Sequence, residues 1–251
     1  MLLPPRSAAE NMARDVTLME RARQTQEVVF SVYEWKRPTL SLGRNQIARD
    51  RYDPEALERL GLDVVRRPTG GRALVHYREI TYSVTAPLDG SASLRQWYAR
   101  INRLLIHALA SIGVASEEAG PNAPALPPDE SPCFATPAYG EILVNNRKLV
   151  GSAQWRNGGA LLQHGSILID DDQHLIGEVS LSRSPATYPS PATLASLLEQ
   201  IPEIAEVAAA LFSAVRALED PGASELDESV IRSAALDRIT EFENELWTWR
   251  R

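Results

Sequence analysis

Five prolines, at positions 121, 124, 127, 128 and 132, restrict this chain more than any other feature. Proline has no amide hydrogen to give a helix interior or a central strand, so no regular element can run through 121–132. The segment must be a long surface loop, and loops of that length in compact domains are frequently functional. It ends on Cys133, the single cysteine of the chain. One cysteine can build neither an internal disulfide nor a thiolate metal site, which leaves a small buried hydrophobe or a reactive thiol. A lone cysteine is more often buried and inert, but a position at the end of a proline-rich loop, outside any apolar strand, shifts the balance toward reactivity. The prolines also limit the conformations of 120–134, which predicts a stiff flap. Cys133 is then expected out of direct contact with Lys148 in some unliganded molecules.

Hydrophobic periodicity gives the elements around that loop. Met12, Val16, Met19 and Ala22 recur at helical spacing, which predicts a helix over 8–25. β-Branched and aromatic runs predict strands over 28–35, 39–42 and 62–67, with a short helix opened by Asp53 and Pro54 between the last two. Strands are predicted again over 73–75 and 79–86, and the strongest helix over 94–112, where Leu94, Trp97, Ile101, Leu104, Leu105 and Leu109 share one face. Residues 141–144, 148–155 and 161–169 read as three adjacent strands, the first two joined at Asn145 and Asn146, residues that tolerate the left-handed backbone of a tight hairpin. Beyond Asp170 the pattern is helical, with helices expected over 192–199, 202–218 and 226–247 and a proline-bearing interruption over 184–191. The fold class is α+β, a mainly antiparallel mixed sheet flanked by helices, with residues 1–183 as the principal domain and 184–251 as a helical extension packed on it.

With 251 residues, 44% of them hydrophobic, the chain can bury a full core. Its net charge of -7 argues against general nucleic-acid binding, and no apolar run approaches the roughly 18 residues of a spanning helix, so a cytoplasmic location is expected and no membrane partner. Against that negative charge, Arg66, Arg67, Arg72, His76 and Arg78 stand close together. They form either a solvated basic strand face or a site for an anion.

Four local features could carry chemistry. In Arg67, Thr69, Gly70, Gly71 and Arg72, paired glycines would let backbone amides approach a carboxylate or phosphate beside guanidinium groups, although such pairs most often mark only a turn. His76 precedes an alternating strand that needs no function of its own. Strict alternation along the next strand sets Lys148, Val150, Ser152 and Gln154 on one face and Leu149, Gly151, Ala153 and Trp155 on the other, so the first set either lines a pocket or is exposed. Gln163, His164, Gly165 and Ser166 interrupt an otherwise apolar strand, and His164 there is structural or catalytic with about equal weight.

Taken together these stretches resemble the biotin and lipoate protein ligase superfamily, closest in pattern to its cysteine-dependent octanoyl-acyl-carrier-protein:protein N-octanoyltransferases. The matching residues are 11–15, 66–83, Pro132-Cys133-Phe134, 139–142, 147–154 and 162–166, with a weaker echo over 242–249. The resemblance implies the superfamily's catalytic-domain fold, with Cys133 as nucleophile and Lys148 as the active-site lysine. It implies that Arg67, Thr69, Gly70, Gly71, Arg72, His76, Ser152, Ala153, Gln154, His164 and Gly165 bind substrate. The implied donor is octanoyl-acyl carrier protein and the implied acceptor a lipoyl-domain protein, either glycine cleavage H protein or a 2-oxoacid dehydrogenase subunit. No metal and no cofactor are implied. Lipoate ligases that use ATP, with Mg, share Lys148 and the glycine pair but typically carry a third glycine where this chain has Arg72, and they need no cysteine. An ATP-dependent ligase forming an acyl-adenylate remains the alternative, with a silent acyl- or carrier-binding protein as a third reading. Acyl carrier proteins are acidic, so Arg66, Arg67, Arg72 and Arg78 are expected to help dock the donor.

Overall fold

The structure, a computed structural model, describes residues 2–88, 90, 92–120, 132–182 and 189–251. The stiff-flap expectation for the proline-rich loop, and most of the proline-bearing interruption over 184–191, lie outside the described residues. Nine strands are described: β1 (Val29–Tyr33), β2 (Thr39–Leu42), β3 (Asp63–Arg66), β4 (Leu74–His76), β5 (Glu79–Pro87), β6 (Glu117–Glu118), β7 (Ile142–Val144), β8 (Arg147–Asn157) and β9 (Ala160–Leu168). Six of them form an antiparallel sheet in the order β1-β5-β9-β8-β7-β6. The other three form a small mixed sheet in the order β3-β2-β4, with β2 parallel to β3 and antiparallel to β4.

Helix α1 (Ala8–Thr25) begins where Ser7 and Glu10 cap each other's backbone amides, and its buried residues Met12, Val16, Met19 and Ala22 are the ones the periodicity predicts. Short α2 (Pro54–Arg59) starts on the Asp53 side chain, which accepts from the amides of Glu55 and Ala56. Helix α3 (Leu94–Ser111) opens on a second reciprocal cap, Ser93 with Gln96, and buries Trp97, Ile101, Leu104, Leu105 and Leu109. These pack with Ile80, Tyr82 and Val84 of β5 and Val150 of β8, and each large apolar side chain so buried contributes roughly 1.5–3 kcal/mol.

After β9 come α4 (Leu175–Val179), α5 (Leu194–Leu197) and α6 (Ile204–Leu218). Val207, Ala208, Leu211 and Ala214 of α6 enter the same cluster as α3 and the large sheet. The single helix expected over 226–247 is three short ones, α7 (Ser229–Leu236), α8 (Ile239–Glu243) and α9 (Glu245–Thr248). The last break is caused by Asn244, whose backbone is extended (φ -73°, ψ 114°) so that its side chain can accept from Leu246 N and start a new helix. This end of the chain is tied to the small sheet. Buried Arg66 donates to the carbonyls of Thr248, Gly43 and Gln46, and Trp247 Nε1 donates to the carbonyl of Arg66.

Two hairpin details position the site. Asn145 (φ 51°) and Asn146 (φ 59°) take the left-handed backbone expected of them and turn β7 into β8. Just beyond, Leu143 pairs with Lys148 but Ile142 pairs with Val150, so Leu149 is an extra residue in a β-bulge. Leu149 and Val150, adjacent in sequence, therefore both lie in the main core. Strict alternation of the Lys148 strand is thereby broken, which corrects the sequence expectation.

Candidate functional site

A cavity of about 290 Å³ opens on the sheet face toward α1. Its floor follows from strand register. Gly151, Ser166 and Thr81 are opposite one another on β8, β9 and β5, and Ala153 and His164 form the next row. Small residues on β8 leave the space, while Arg67, Gly71, Arg72, Leu74 and His76 from the small sheet and its glycine turn close the other side.

Cys133 sits at the mouth, half-buried, with its amide held by the carbonyl of Ala73. Phe134 is buried against Leu74 and Leu168, which anchors the cysteine to β4 and β9. Because of the bulge, Lys148 lies over Gly151, where an added Cβ would be 2.8 Å from Lys148 Cε and 3.0 Å from Nζ. The side chain of Lys148 is fully buried, and its three donors meet three acceptors: Glu141 Oε1 at 2.5 Å, the carbonyl of Cys133 at 2.8 Å and Cys133 Sγ at 3.4 Å. The ring of Phe134 lies 4.8 Å from the ammonium and adds its π-face. Sulfur and ammonium are thus in contact in this structure, one of the two arrangements the sequence reading allowed. Glu141, not singled out from the sequence, is the carboxylate that makes a buried lysine tolerable, since an unpaired buried ammonium is costly. It also accepts from the amide of Ala138, which fixes the segment after Cys133.

The glycine turn is shaped by Arg67. Its guanidinium donates to the carbonyls of Ser41, Gly70 and Arg72, and Gly71 (φ +93°) has no room for a side chain because Arg67 Nη2 would lie 2.8 Å from its Cβ. Burial lowers the pKa of Arg67 to about 10. Arg66 is lowered to about 10 as well, first by burial and then by Arg250, Arg251 and Arg67. Thr69 Oγ1 is 2.6 Å from His164 Nε2, whose Nδ1 is 3.1 Å from Asp15 Oδ2, and Tyr33 donates to the same carboxylate oxygen. This chain of contacts spans 149 positions of sequence between Asp15 and His164, and no spacing signal could have linked them. His76 lies stacked on Trp35, 3.9 Å between ring centroids, with Nδ1 3.2 Å from Glu79 Oε1. Burial lowers the pKa of His76, only partly offset by Glu79.

Of the sequence candidates, Cys133, Arg67, Gly71, Arg72, His76, Ser152, Ala153, His164 and Gly165 line the cavity. Thr69 and Gly70 do not; they reach it through His164 and Arg67. Ser152 Oγ is bonded to Tyr82 OH, and Gln154 donates to Gln163 and the carbonyl of Leu94, on the α3 side of the sheet. Gln154 is therefore part of a polar network under α3 and not of the cavity wall. Tyr82 belongs to that network, with a pKa raised to about 12 by burial. The expected basic docking patch is also corrected. Arg66, Arg67 and Arg72 are buried and satisfy backbone carbonyls, while Arg78 pairs with Asp170 and Asp172. They are neighbours in sequence, but the strand and turn send Arg66, Arg67 and Arg72 inward and leave Arg78 exposed against its two aspartates.

An α+β domain whose sheet-walled cavity is lined by a thiol, with a buried, carboxylate-paired ammonium in contact with that thiol, is the class of protein the fold and site define. The sequence profile of the lipoyl protein ligase A/B catalytic domain matches residues 7–216, and the chain belongs to that family. It is 42% identical over 171 residues to octanoyltransferase LipM of Carboxydothermus hydrogenoformans, covering 66% of this chain and 62% of that protein. Octanoyltransferase LipM of Kyrpidia tusciae is 41% identical over 176 residues, covering 66% of this chain and 64% of that one. The match thus spans less than two thirds of the length of these curated relatives. Among solved structures, a bi-partite lipoate protein ligase of an archaeal lipoylation system from Thermoplasma acidophilum has a TM-score of 0.79 at 17% identity, over 99% of this chain and 94% of that one. That likeness concerns the fold. Among the described residues, no helix is long and apolar enough to cross a membrane.

Proposed function

We propose that this chain transfers an octanoyl group from octanoyl-acyl carrier protein, through a thioester on Cys133, to the lysine amine of a lipoyl domain, using neither ATP nor a metal. The observation that carries the reading is the contact of Lys148 Nζ with Cys133 Sγ at 3.4 Å on the rim of the cavity. Simple acyl binding gives no reason to hold an ammonium against sulfur. The curated relatives at 41–42% identity carry the name octanoyltransferase, which agrees with it.

In the first step the Cys133 thiol gives up its proton as its sulfur attacks the carrier's thioester carbonyl; a new C–S bond forms, the carrier's C–S bond breaks, and the departing carrier sulfur takes up that proton and leaves as a thiol. The exchange of one thioester for another is close to neutral in free energy, so a difficult reaction is divided into two modest ones. Lys148 is placed to oppose negative charge on sulfur and on the oxyanion, in a site from which its own burial excludes water. In the second step the acceptor's neutral amine attacks the Cys133 thioester, the C–S bond breaks, and the amine proton passes to sulfur as the amide forms. Glu141 holds Lys148 in place throughout.

Mixing the protein with octanoyl-acyl carrier protein, without nucleotide, is expected to add one octanoyl mass that maps to Cys133 and disappears in Cys133→Ala. Adding a lipoyl domain is expected to discharge it onto lysine. Turnover with no trappable adduct would overturn the covalent route. A Cys133→Ala protein still active with ATP and free octanoate would establish the ligase reading, and tight acyl binding with no turnover the silent one.

A further inference from the structure

Eight arginines outside the cavity are paired with carboxylates: Arg6, Arg14, Arg21, Arg37, Arg78, Arg100, Arg103 and Arg238. A second group is not. Among the described residues, Arg44, Arg49, Arg51, Arg250 and Arg251 form no ion pair, although the chain carries an excess of seven negative charges. They are brought together by backbone contacts. The amides of Ala48 and Arg49 donate to the carbonyl of Arg251 at 2.8 and 2.6 Å, and Arg250 Nη2 donates to the carbonyl of Arg44. Asp50 lies between Arg49 and Arg51 and pairs with neither.

Arg250 has a lowered pKa, through burial first and then through Arg44 and Arg251. Two of the five rest on aromatic faces: Arg44 lies 4.9 Å from the ring of Trp155 and 5.6 Å from that of Trp247, and Arg250 lies 4.0 Å from the latter. Guanidinium groups ordered as Arg44 and Arg250 are, with no carboxylate side chain bonded to them, lose little freedom on meeting an external anion.

The location connects this patch to the cavity. Arg44 N donates to the carbonyl of Thr69, and a Cβ on Gly43 would lie 1.9 Å from Gly71 O, so the segment carrying Arg44, Arg49 and Arg51 rests directly on the glycine turn that walls the cavity. Trp155, under Arg44, follows the cavity residue Ala153 by two positions on β8.

We infer that the arginine surface formed by 44–51 and 250–251 is the docking face for the acidic carrier protein that delivers the acyl thioester. The inference rests on the proposed transfer reaction and adds its donor surface. Charge decides between the two macromolecular substrates. A donor arm that carries a phosphodiester is drawn across guanidinium groups, whereas an acceptor presenting a lysine ammonium is repelled by them.

The test compares wild type with Arg49→Glu/Arg51→Glu, both exposed and outside the cavity wall, using Arg232→Glu on α7 as a distant charge control. Cys133 loading is followed by intact mass from two donors, octanoyl-acyl carrier protein and octanoyl-N-acetylcysteamine, which is a thioester without protein or phosphate. The double variant is expected to lose about tenfold or more in kcat/KM with the carrier at low salt, a deficit that shrinks as ionic strength rises, and to load from the small thioester at the wild-type rate. Arg232→Glu is expected to match wild type with both donors. Wild-type loading of the double variant from the carrier would overturn the docking face, as would equal loss with both donors. Normal loading with slowed discharge to the lipoyl domain would overturn it too, by assigning the surface to the acceptor. A wild-type protein that loads from neither donor would overturn the transfer reading itself and the docking face with it, which the small-thioester arm distinguishes from a docking failure.

Discussion

Gly151→Ala tests the geometry of the site with a single methyl group. Ala is ordinarily the better residue in a strand interior, by roughly 0.5–1 kcal/mol over Gly. Here the new Cβ would lie 2.8 Å from Lys148 Cε, 3.0 Å from Nζ and 3.2 Å from Phe134 Cζ, against 3.4–4 Å for ordinary contact. Lys148 must therefore withdraw by at least about 0.6 Å, and its closest polar partner, Glu141, leaves little freedom to do so without loosening the contact with Sγ. Overpacking of this kind costs about 1–3 kcal/mol, so after the gain from Ala the net loss is about 0–2.5 kcal/mol and Tm falls by no more than roughly 5–10 °C. The kinetic loss is larger, because misplacing a catalytic group by about 1 Å costs up to roughly a hundredfold. The assay is the initial rate of Cys133 acylation from octanoyl-acyl carrier protein, read by intact mass, alongside a thermal melt. Gly177→Ala in α4 is the matched control, since nothing lies within 4 Å of its added Cβ, and it is expected to keep full activity with equal or higher Tm. A Gly151→Ala protein that acylates at the wild-type rate would refute the placement of Lys148 over Gly151.

Glu141→Ala leaves the buried Lys148 ammonium without its carboxylate and is expected to lower unfolding free energy by about 3–5 kcal/mol in a denaturant titration. Arg66→Ala strands the carbonyls of Gly43, Gln46 and Thr248, so Tm should fall markedly and limited proteolysis should cut first in 244–251. His76 predicts a pH effect. Burial lowers its folded pKa below the unfolded value of 6.5, so in acid the unfolded chain binds more protons and stability falls as pH drops from about 6.5 toward the folded pKa. His76→Gln should lose that component, making its stability less steep than wild type below pH 6.5 in parallel melts.

Local chemistry was the readable part. The helix start at Asp53, the left-handed pair Asn145 and Asn146, and the apolar face of α3 are each set by residues a few positions apart, and the structure places them as expected. The bulge at Leu149 is not of that kind, because nothing in Arg147 to Gly151 states that one residue will be left unpaired against β7. The arginines at 66, 67 and 72 misled for a related reason: charge clustering in sequence suggests a surface, while their direction depends on carbonyls contributed by distant segments. Glu141 was within reach, since a carboxylate opposite the strand of a buried lysine follows once the hairpin is drawn. Asp15 and its link to His164 were not, because only the packing of α1 across the sheet brings them together. The C-terminal helices fell between, with a helical pattern correct in kind and Asn244 overlooked as a start signal.

The bond from Arg66 to the carbonyl of Thr248 joins residues 182 positions apart. At ribosomal speeds of 5–20 residues per second, the strand that carries Arg66 waits roughly ten to forty seconds for its partner to be made. Through that interval the Arg66 guanidinium can reach Gly43 and Gln46 but lacks its third carbonyl, so the turn bearing Thr69 to Arg72 is under-braced while the sheet is already emerging. The mouth of the cavity is thus among the last parts of this protein to become rigid during synthesis, and a nascent chain should acquire its stable sheet well before it acquires a competent site.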